Sequence, residues 1–333
     1  MLKERGIITN DNTRMTPKTS FEGRVLKFDF PDLYIGIAEY KEGPTGCTVF
    51  YFPNNVISVA DIRGGFPGTL RGSSAEDGKT SAICFAGGSI YGLEAVTGVA
   101  DELFSMRGYS GVFNVRGAVI YDFFRNNMIY PDKELGRAAL KSSQTGIFPL
   151  GFYGVGCWPG CGPAFDCLQP DGTGQGGAFR QIGPTKICVF TVVNALGEIV
   201  DRQGNIVRGN LDRKTGARHR YIDVLEKRLA EKKHPDLHYA NTTLTLIVTN
   251  QKFDIESLRQ LSRQVHSSMA RAIQPFHTQY DGDVLFAATT GEVENNLLDV
   301  TDFGVIASEL AWDAILSCFQ GYDSSGISTK NAT

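Results

Sequence analysis

Thr242 follows Asn241 and opens the run Thr243-Leu244-Thr245-Leu246-Ile247-Val248-Thr249. A threonine hydroxyl is a weak nucleophile at neutral pH and needs a base beside it. Cutting the Asn241–Thr242 peptide would supply one, because a free α-amine titrates at roughly 7.7–8.0 and can exchange protons near neutrality. In the uncut chain the same hydroxyl could attack the Asn241 carbonyl and form an ester that water then opens. The letters also fit a turn entering a buried strand or, in a secreted chain, an Asn-x-Thr glycosylation acceptor. Local sequence leaves all three readings open.

Three other places carry groups that such chemistry could use. Asp281-Gly282-Asp283 precedes the apolar run Val284–Ala287, and carboxylates two residues apart on a strand share a face. They could orient an amine at Thr242 and hold its hydroxyl, or simply form an Asp-Gly turn. Asn194 ends the apolar run Lys186–Val193, where a polar amide must find a partner; it could stabilise an oxyanion or cap a turn. Tyr121, within Ala118–Phe123, offers a phenol to a nucleophile or a tetrahedral intermediate, or fills a core with its hydroxyl satisfied.

Other chemistries lack their residues. Cys157, Cys161 and Cys167 have neither Cys-x-x-Cys spacing nor a nearby histidine, so a zinc site is not expected. The five histidines (219, 234, 238, 266 and 277) lack ligand spacing, and no EF-hand loop follows Asp281. Gly172–Gly177 fits neither a Walker loop nor a dinucleotide fingerprint, and no Gly-x-Ser-x-Gly elbow occurs. No metal or cofactor is predicted.

At 333 residues and 42% hydrophobic, the chain can bury a large core. A net charge of −3 gives no electrostatic case for nucleic acid or an anionic membrane. Met1–Lys18 has no apolar stretch of signal-peptide type, and nothing approaches 18 uninterrupted apolar residues. The 7 cysteines are an odd number, which together with these features predicts reduced thiols in the cytoplasm. The 38 glycines cluster at Gly64-Gly65, Gly87-Gly88, Gly154–Gly162 and Gly172–Gly177, serving either tight backbone approach or a pocket.

These groups need elements to hold them. Residues 1–20 are polar and predicted to be loosely held, leaving 21–333 as a single domain. Val25–Ala60 reads as antiparallel sheet. Helices are predicted over Ile90–Arg107, Glu134–Ser142, Tyr221–Lys233, Ile255–Ile273 and Val305–Phe319. Strands are predicted at Ala118–Phe124, Lys186–Val193, Thr242–Asn250 and Leu285–Thr289, with a hairpin tip at Asp201–Asn205. Strand-rich and helix-rich blocks alternate irregularly, which favours α+β layers over a doubly wound sheet.

Taken in order, several segments resemble the N-terminal-nucleophile peptidases of the DmpA type (L-aminopeptidase/D-amidase), and within them the nylon-oligomer hydrolases. They include Phe28–Pro31, Glu42–Gly46, Gly87–Glu94, Ala118–Phe123, Tyr130–Ala139, Gly174–Gly176, Val207–Asn210, Asn241–Thr243, Gln264–Met269, Ile273–Thr278 and Asp281–Asp283. The resemblance runs from about Leu26 to Phe319. It implies a four-layer αββα sandwich, shared with ornithine acetyltransferases, autocleaved between Asn241 and Thr242 into chains 1–241 and 242–333. It also implies a Thr242 nucleophile, supporting carboxylates at Asp281 and Asp283, amide and phenol roles for Asn194 and Tyr121, no cofactor, and a homotetramer of processed protomers. The substrate it implies is a linear amide such as a 6-aminohexanoate oligomer or polyamide. Alternatives are an aminopeptidase for D- or β-amino-acyl substrates, an acyl transferase, or an unprocessed binding relative. One departure stands out: those hydrolases carry a functional lysine before the Gly-Gln-Gly motif, and this chain has no lysine between Lys141 and Lys186.

Overall fold

The computed structural model describes residues 6–123, 125, 127–162, 171–212, 214–234 and 241–321. Cys167, His238 and the stretch 163–170, which belongs to the lysine-free segment, lie outside the described residues.

Eight strands and five helices carry the architecture. The strands are β1 (Tyr34–Tyr40), β2 (Thr45–Ile62), β3 (Gly78–Ala86), β4 (Val115–Val119), β5 (Gln175–Ile182), β6 (Thr185–Asn194), β7 (Thr242–Gln251) and β8 (Val284–Val293). The helices are α1 (Leu93–Met106), α2 (Lys133–Lys141), α3 (Tyr221–Ala230), α4 (Ile255–Ser268) and α5 (Val300–Ser317). Along the sheet the order is β5-β6-β7-β8-β2-β3-β4, with β1 also on β2. β7 and β8 run parallel, as do β3 and β4; β2 is antiparallel to β1, β3 and β8.

The 18 residues of β2 join two halves. Its first part, Thr45–Tyr51, pairs with β1, and its last part, Ile57–Ile62, pairs with β8. Between them the register against β3 shifts from Tyr51 to Val56, a bulge that bends a strand and sharpens its twist. The sheet therefore doubles over itself.

Three buried clusters fill the gaps between four layers. Phe50, Phe85, Phe148, Phe190, Leu246 and Phe286 belong to the cluster between the two sheet halves. The rings of Phe50, Phe148 and Phe190 stand 4.8–6.3 Å apart, at distances where aromatic pairing adds to burial. Ile247, Leu285 and Ala287 face the other way, onto Leu258 and Leu261 of α4 and Leu310 and Ala314 of α5. Val49, Ala82 and Cys84 back onto Val96 and Val99 of α1 and Leu135 and Ala139 of α2. The order is thus helices, sheet, sheet, helices. Covered on both faces, β7 has no solvent-exposed side, which explains its unbroken burial.

The helices begin where side-chain acceptors satisfy their first N–H groups. Asp132, Asp254 and Asp299 accept from Leu135, Ser257 and Asp302 at 3.0, 2.7 and 2.8 Å. The described part of the N-terminal segment, residues 6–20, pairs with distant parts of the chain. Ile8 and Thr9 pair in parallel with Asn127 and Met128, and Lys18 bridges Glu39. Composition could not reveal those distant partners.

Candidate active site

The starts of β7 and β8 and the ends of β2 and β6 meet at one end of the sheet. Thr242 opens β7, paired with Asn194 at the end of β6. Because β7 and β8 run parallel, Asn241 lies beside Asp281. The Arg63 N–H donates to the Asp283 carbonyl at 2.8 Å, and the Phe66 N–H donates to that of Asp281 at 3.0 Å. Gly64 and Gly65 permit this approach, since a Cβ on either would lie 2.2–2.3 Å from the carbonyl oxygens of Asp281 and Gln279. That gives one glycine cluster its reason.

At the junction, the Asn241 carbonyl accepts two hydrogen bonds. The Gly282 N–H donates at 2.7 Å, and the Thr242 hydroxyl donates at 2.6 Å. Thr242 is only 5% exposed. Two donors polarise this buried carbonyl, and once the Thr242 hydroxyl reacts the Gly282 N–H remains to stabilise negative charge on its oxygen, as an oxyanion-hole donor does. Gly282 cannot carry a side chain, for its Cβ would lie 2.4 Å from the Phe66 carbonyl oxygen and 2.8 Å from the Thr242 hydroxyl.

The carboxylates bracket the backbone rather than the hydroxyl. Asp283 Oδ1 accepts from the Thr243 N–H at 2.7 Å. Its Oδ2 accepts from the His277 N–H at 3.2 Å and pairs with His277 Nδ1 at 2.9 Å. Burial pushes the Asp283 carboxyl up, opposed by these donors. Asp281 Oδ2 accepts from the Thr278 N–H at 2.7 Å. Burial, and then the neighbouring charge of Asp283, push Asp281 up to about 6. In the continuous chain the Thr242 hydroxyl turns to its own preceding carbonyl, and the carboxylates hold the backbone on either side of it.

Asn194 is anchored at both ends of its amide. Nδ2 donates to the Tyr121 carbonyl at 3.0 Å, and Oδ1 accepts from the Gly160 N–H at 3.1 Å. Tyr121 itself lies just past the end of β4. Its neighbour Asp122 fixes that loop, taking the Thr45 hydroxyl at 2.6 Å, the Gly88 N–H at 2.8 Å and Arg125 at 2.9 Å. A Cβ on Gly87 would lie 2.3 Å from Asp122 Oδ2, so the Gly87-Gly88 pair makes room for this carboxylate. All five predicted site residues thus gather around the junction.

Sequence reasoning missed Asp122, His277 and Gly282 as parts of the site. Asp122 and His277 stood inside resembling segments, and Gly282 between the two aspartates, but their partners are set by tertiary contacts. Behind His277, His266 is buried in α4 with Nδ1 2.8 Å from Asp61 Oδ2. Burial lowers its pKa to about 4, so this imidazole is neutral at pH 7. Among the described residues no cluster of histidine, cysteine and carboxylates could hold a metal ion.

Residues 28–321 match Peptidase family S58. The chain belongs to that family. An S58 relative, the 6-aminohexanoate-oligomer endohydrolase of Paenarthrobacter ureafaciens, is 43% identical over 322 residues, spanning 92% of this chain and 89% of the relative. An uncharacterized aminopeptidase of Mycobacterium leprae is 30% identical over 75% of this chain and 72% of its own length. Among solved structures, a Burkholderia sp. beta-aminopeptidase superposes with a TM-score of 0.62 at 17% identity, covering 95% of this chain and 90% of that one. The L-aminopeptidase D-Ala-esterase/amidase of Ochrobactrum anthropi, described as a variant of the Ntn hydrolase fold, gives 0.58 at 12% identity, covering 90% and 88%. The protein is an amide-bond hydrolase of the S58 family.

Proposed function

We propose that this S58 hydrolase cuts its own Asn241–Thr242 peptide and then uses the freed Thr242 on linear amides, with 6-aminohexanoate oligomers and polyamides the favoured substrates. The observation that carries the first step is the doubly bonded Asn241 carbonyl, with the Thr242 hydroxyl on it and Gly282 N–H opposite. The Thr242 oxygen adds to the carbonyl carbon and the C–N bond breaks. The nitrogen takes up the proton that the hydroxyl gives up, and water hydrolyses the resulting ester to the Asn241 carboxylate and the free Thr242 hydroxyl. The free amine of Thr242 then removes the hydroxyl proton as the oxygen attacks a substrate carbonyl, and passes it to the leaving amine.

Asn194 retains a second amide N–H beyond the one given to Tyr121. This donor and the Tyr121 phenol serve the tetrahedral intermediate. Asp281 and Asp283 set the position and proton balance of the new terminus. The substrate reading draws support from the 43% identity to the 6-aminohexanoate-oligomer endohydrolase. A second reading is an aminopeptidase for D- or β-amino-acyl substrates; the M. leprae relative, an uncharacterized aminopeptidase, supports the aminopeptidase part of it.

The resemblance supports a homotetramer of processed protomers, which light scattering measures. A cytoplasmic location agrees with six described cysteines that form no disulfide. No described helix is long and apolar enough to cross a membrane.

Intact mass tests the processing: purified protein should yield fragments 1–241 and 242–333, and Thr242→Ala should stay whole. A wild-type chain that persists at full length sinks the mechanism. Amine release from a panel of 6-aminohexanoate oligomers and β-aminoacyl amides then decides between the substrates, with Thr242→Ala expected to be inactive on all.

A further inference from the structure

A cavity of about 300 Å³ opens beside Tyr121. Half of its eight described lining residues are aromatic. Tyr121 and Phe123 meet edge to face at 5.6 Å, Phe123 and Tyr91 at 6.4 Å, and Tyr91 and Tyr130 tilt together at 5.6 Å. The N-terminal segment closes one side, where Asn10 makes a two-way backbone clasp on Tyr130 at 3.0 Å in each direction. This clasp places Asp11 in the lining, where it is the one charged side chain among the described residues that line the cavity. Glu94 stands next to it, accepting a hydrogen bond from the Tyr130 hydroxyl at 3.2 Å. The Tyr130 phenol is pushed up by burial and then by the charges of Glu94 and Asp11, a sign of the negative field there.

This cavity adjoins the site. The Tyr121 carbonyl is held by Asn194, and Asn194 is the register partner of Thr242. Asn194 thus links the Thr242 end of β7 to the residue that begins the aromatic walls. Ring faces attract cations and accommodate methylene chains, and carboxylates at the rim add charge complementarity.

We infer that the cavity lined by Tyr91, Tyr121, Phe123 and Tyr130, with Asp11 and Glu94 at its rim, is a subsite for the ammonium-bearing end of a linear amide substrate. The inference rests on the linear-amide reading above and adds which end of the substrate this side of the site receives. A carboxylate end would meet two like charges there. Ring faces would orient the methylenes while the ammonium reaches the rim.

Two measurements on the purified protein test it. The first is NMR titration with 6-aminohexanamide and with N-acetyl-6-aminohexanamide, which differ in the ammonium. The second is KM and kcat for a linear 6-aminohexanoate trimer with its amino end free or acetylated. The free-amine probe should bind about tenfold more tightly than the acetylated one, and the free trimer should show a correspondingly lower KM. In the double variant Asp11→Asn/Glu94→Gln that preference should fall to about twofold, the loss lying in the affinity and KM of the free-amine compounds. Tyr91→Ala should weaken both probes.

A protein that cleaves amides but does not distinguish the two probes overturns the subsite and leaves the hydrolase reading standing. A protein that cleaves neither trimer yet prefers the ammonium probe, and loses that preference in the double variant, supports the subsite while the hydrolase reading fails. A cavity sealed by a second copy of the chain would bind neither probe, which also overturns it. Equal loss for both trimers in the double variant marks a structural effect and overturns it as well.

Discussion

Asp281 and Asp283 stand two residues apart but are held differently. Asp283 is fixed by Thr243 and by the backbone and ring of His277. His277 sits at φ +60°, a conformation that costs a non-glycine residue of order 1–3 kcal/mol and lets its N–H and Nδ1 meet one oxygen. His277→Ala should therefore lower stability by about 1–3 kcal/mol and slow turnover. A variant with wild-type stability and rate would show that the pair is incidental. Asp281 rises to about 6, above the usual range near 3.9. The folded state then holds its proton to higher pH than the unfolded chain does, so stability falls as pH climbs from about 4 to 6 and is level above. Asp281→Asn removes that loss. Its advantage over wild type should be absent near pH 4 and reach on the order of 2 kcal/mol by pH 7.5. Denaturant titrations at both pH values check this, and an equal gap at both would refute it.

At the scale of elements, local periodicity was enough for most of what holds the site. The Thr-rich run of β7, the apolar run of β6 and the amphipathic face of α4 carry their signals within ten to fourteen residues, so each was legible. Thr242, Asn194, Asp281 and Asp283 stand beside such runs, so their positions were legible, while the roles proposed for them and for Tyr121 came only from the resemblance of ordered segments. The function of Asp122 was not legible, because its partner Thr45 lies 77 residues earlier. Gly282 read as a turn residue because nothing local announces the carbonyl of Phe66 above it. The bulge that folds β2 over was equally hidden, since it is defined only against β3. Two substitutions separate these layers. Gly282→Ala should push Phe66 and Thr242 apart, lower the melting temperature and leave the chain uncut; normal processing on a mass spectrum would contradict the close approach. Asp122→Ala leaves Arg125 buried without its carboxylate, which should cost about 3–5 kcal/mol, read by urea unfolding.

Across the whole molecule, two buried groups tilt the pH dependence in opposite directions. His266, lowered to about 4, is neutral when folded but protonates near 6.5 when unfolded. Its stabilising effect is present above pH 6.5 and is lost as pH falls toward 4. Asp281 works the other way over nearly the same window, so the wild type should show a flattened stability profile between pH 4 and 6. His266→Asn should leave a profile that declines with rising pH, and the ring resonances of wild-type His266 should not titrate above about pH 5. A ring that titrates near 6.5 would dismiss the account. The core between the sheet halves sets the overall scale: Phe190→Ala, at the centre of its ring cluster, should cost about 3–5 kcal/mol. The placement of β7 has a last consequence. It lies between β6, from the segment before the junction, and β8, from the segment after it, while β8 in turn lies against β2. Once the junction is cut, the two pieces are interleaved like fingers of clasped hands and cannot come apart without dismantling the central sheet. Denaturation then scatters them into separate molecules, and reassembly requires an encounter in solution. Recovery of the processed protein should rise with dilution-sensitive, second-order kinetics, whereas uncut Thr242→Ala should recover at a rate independent of concentration.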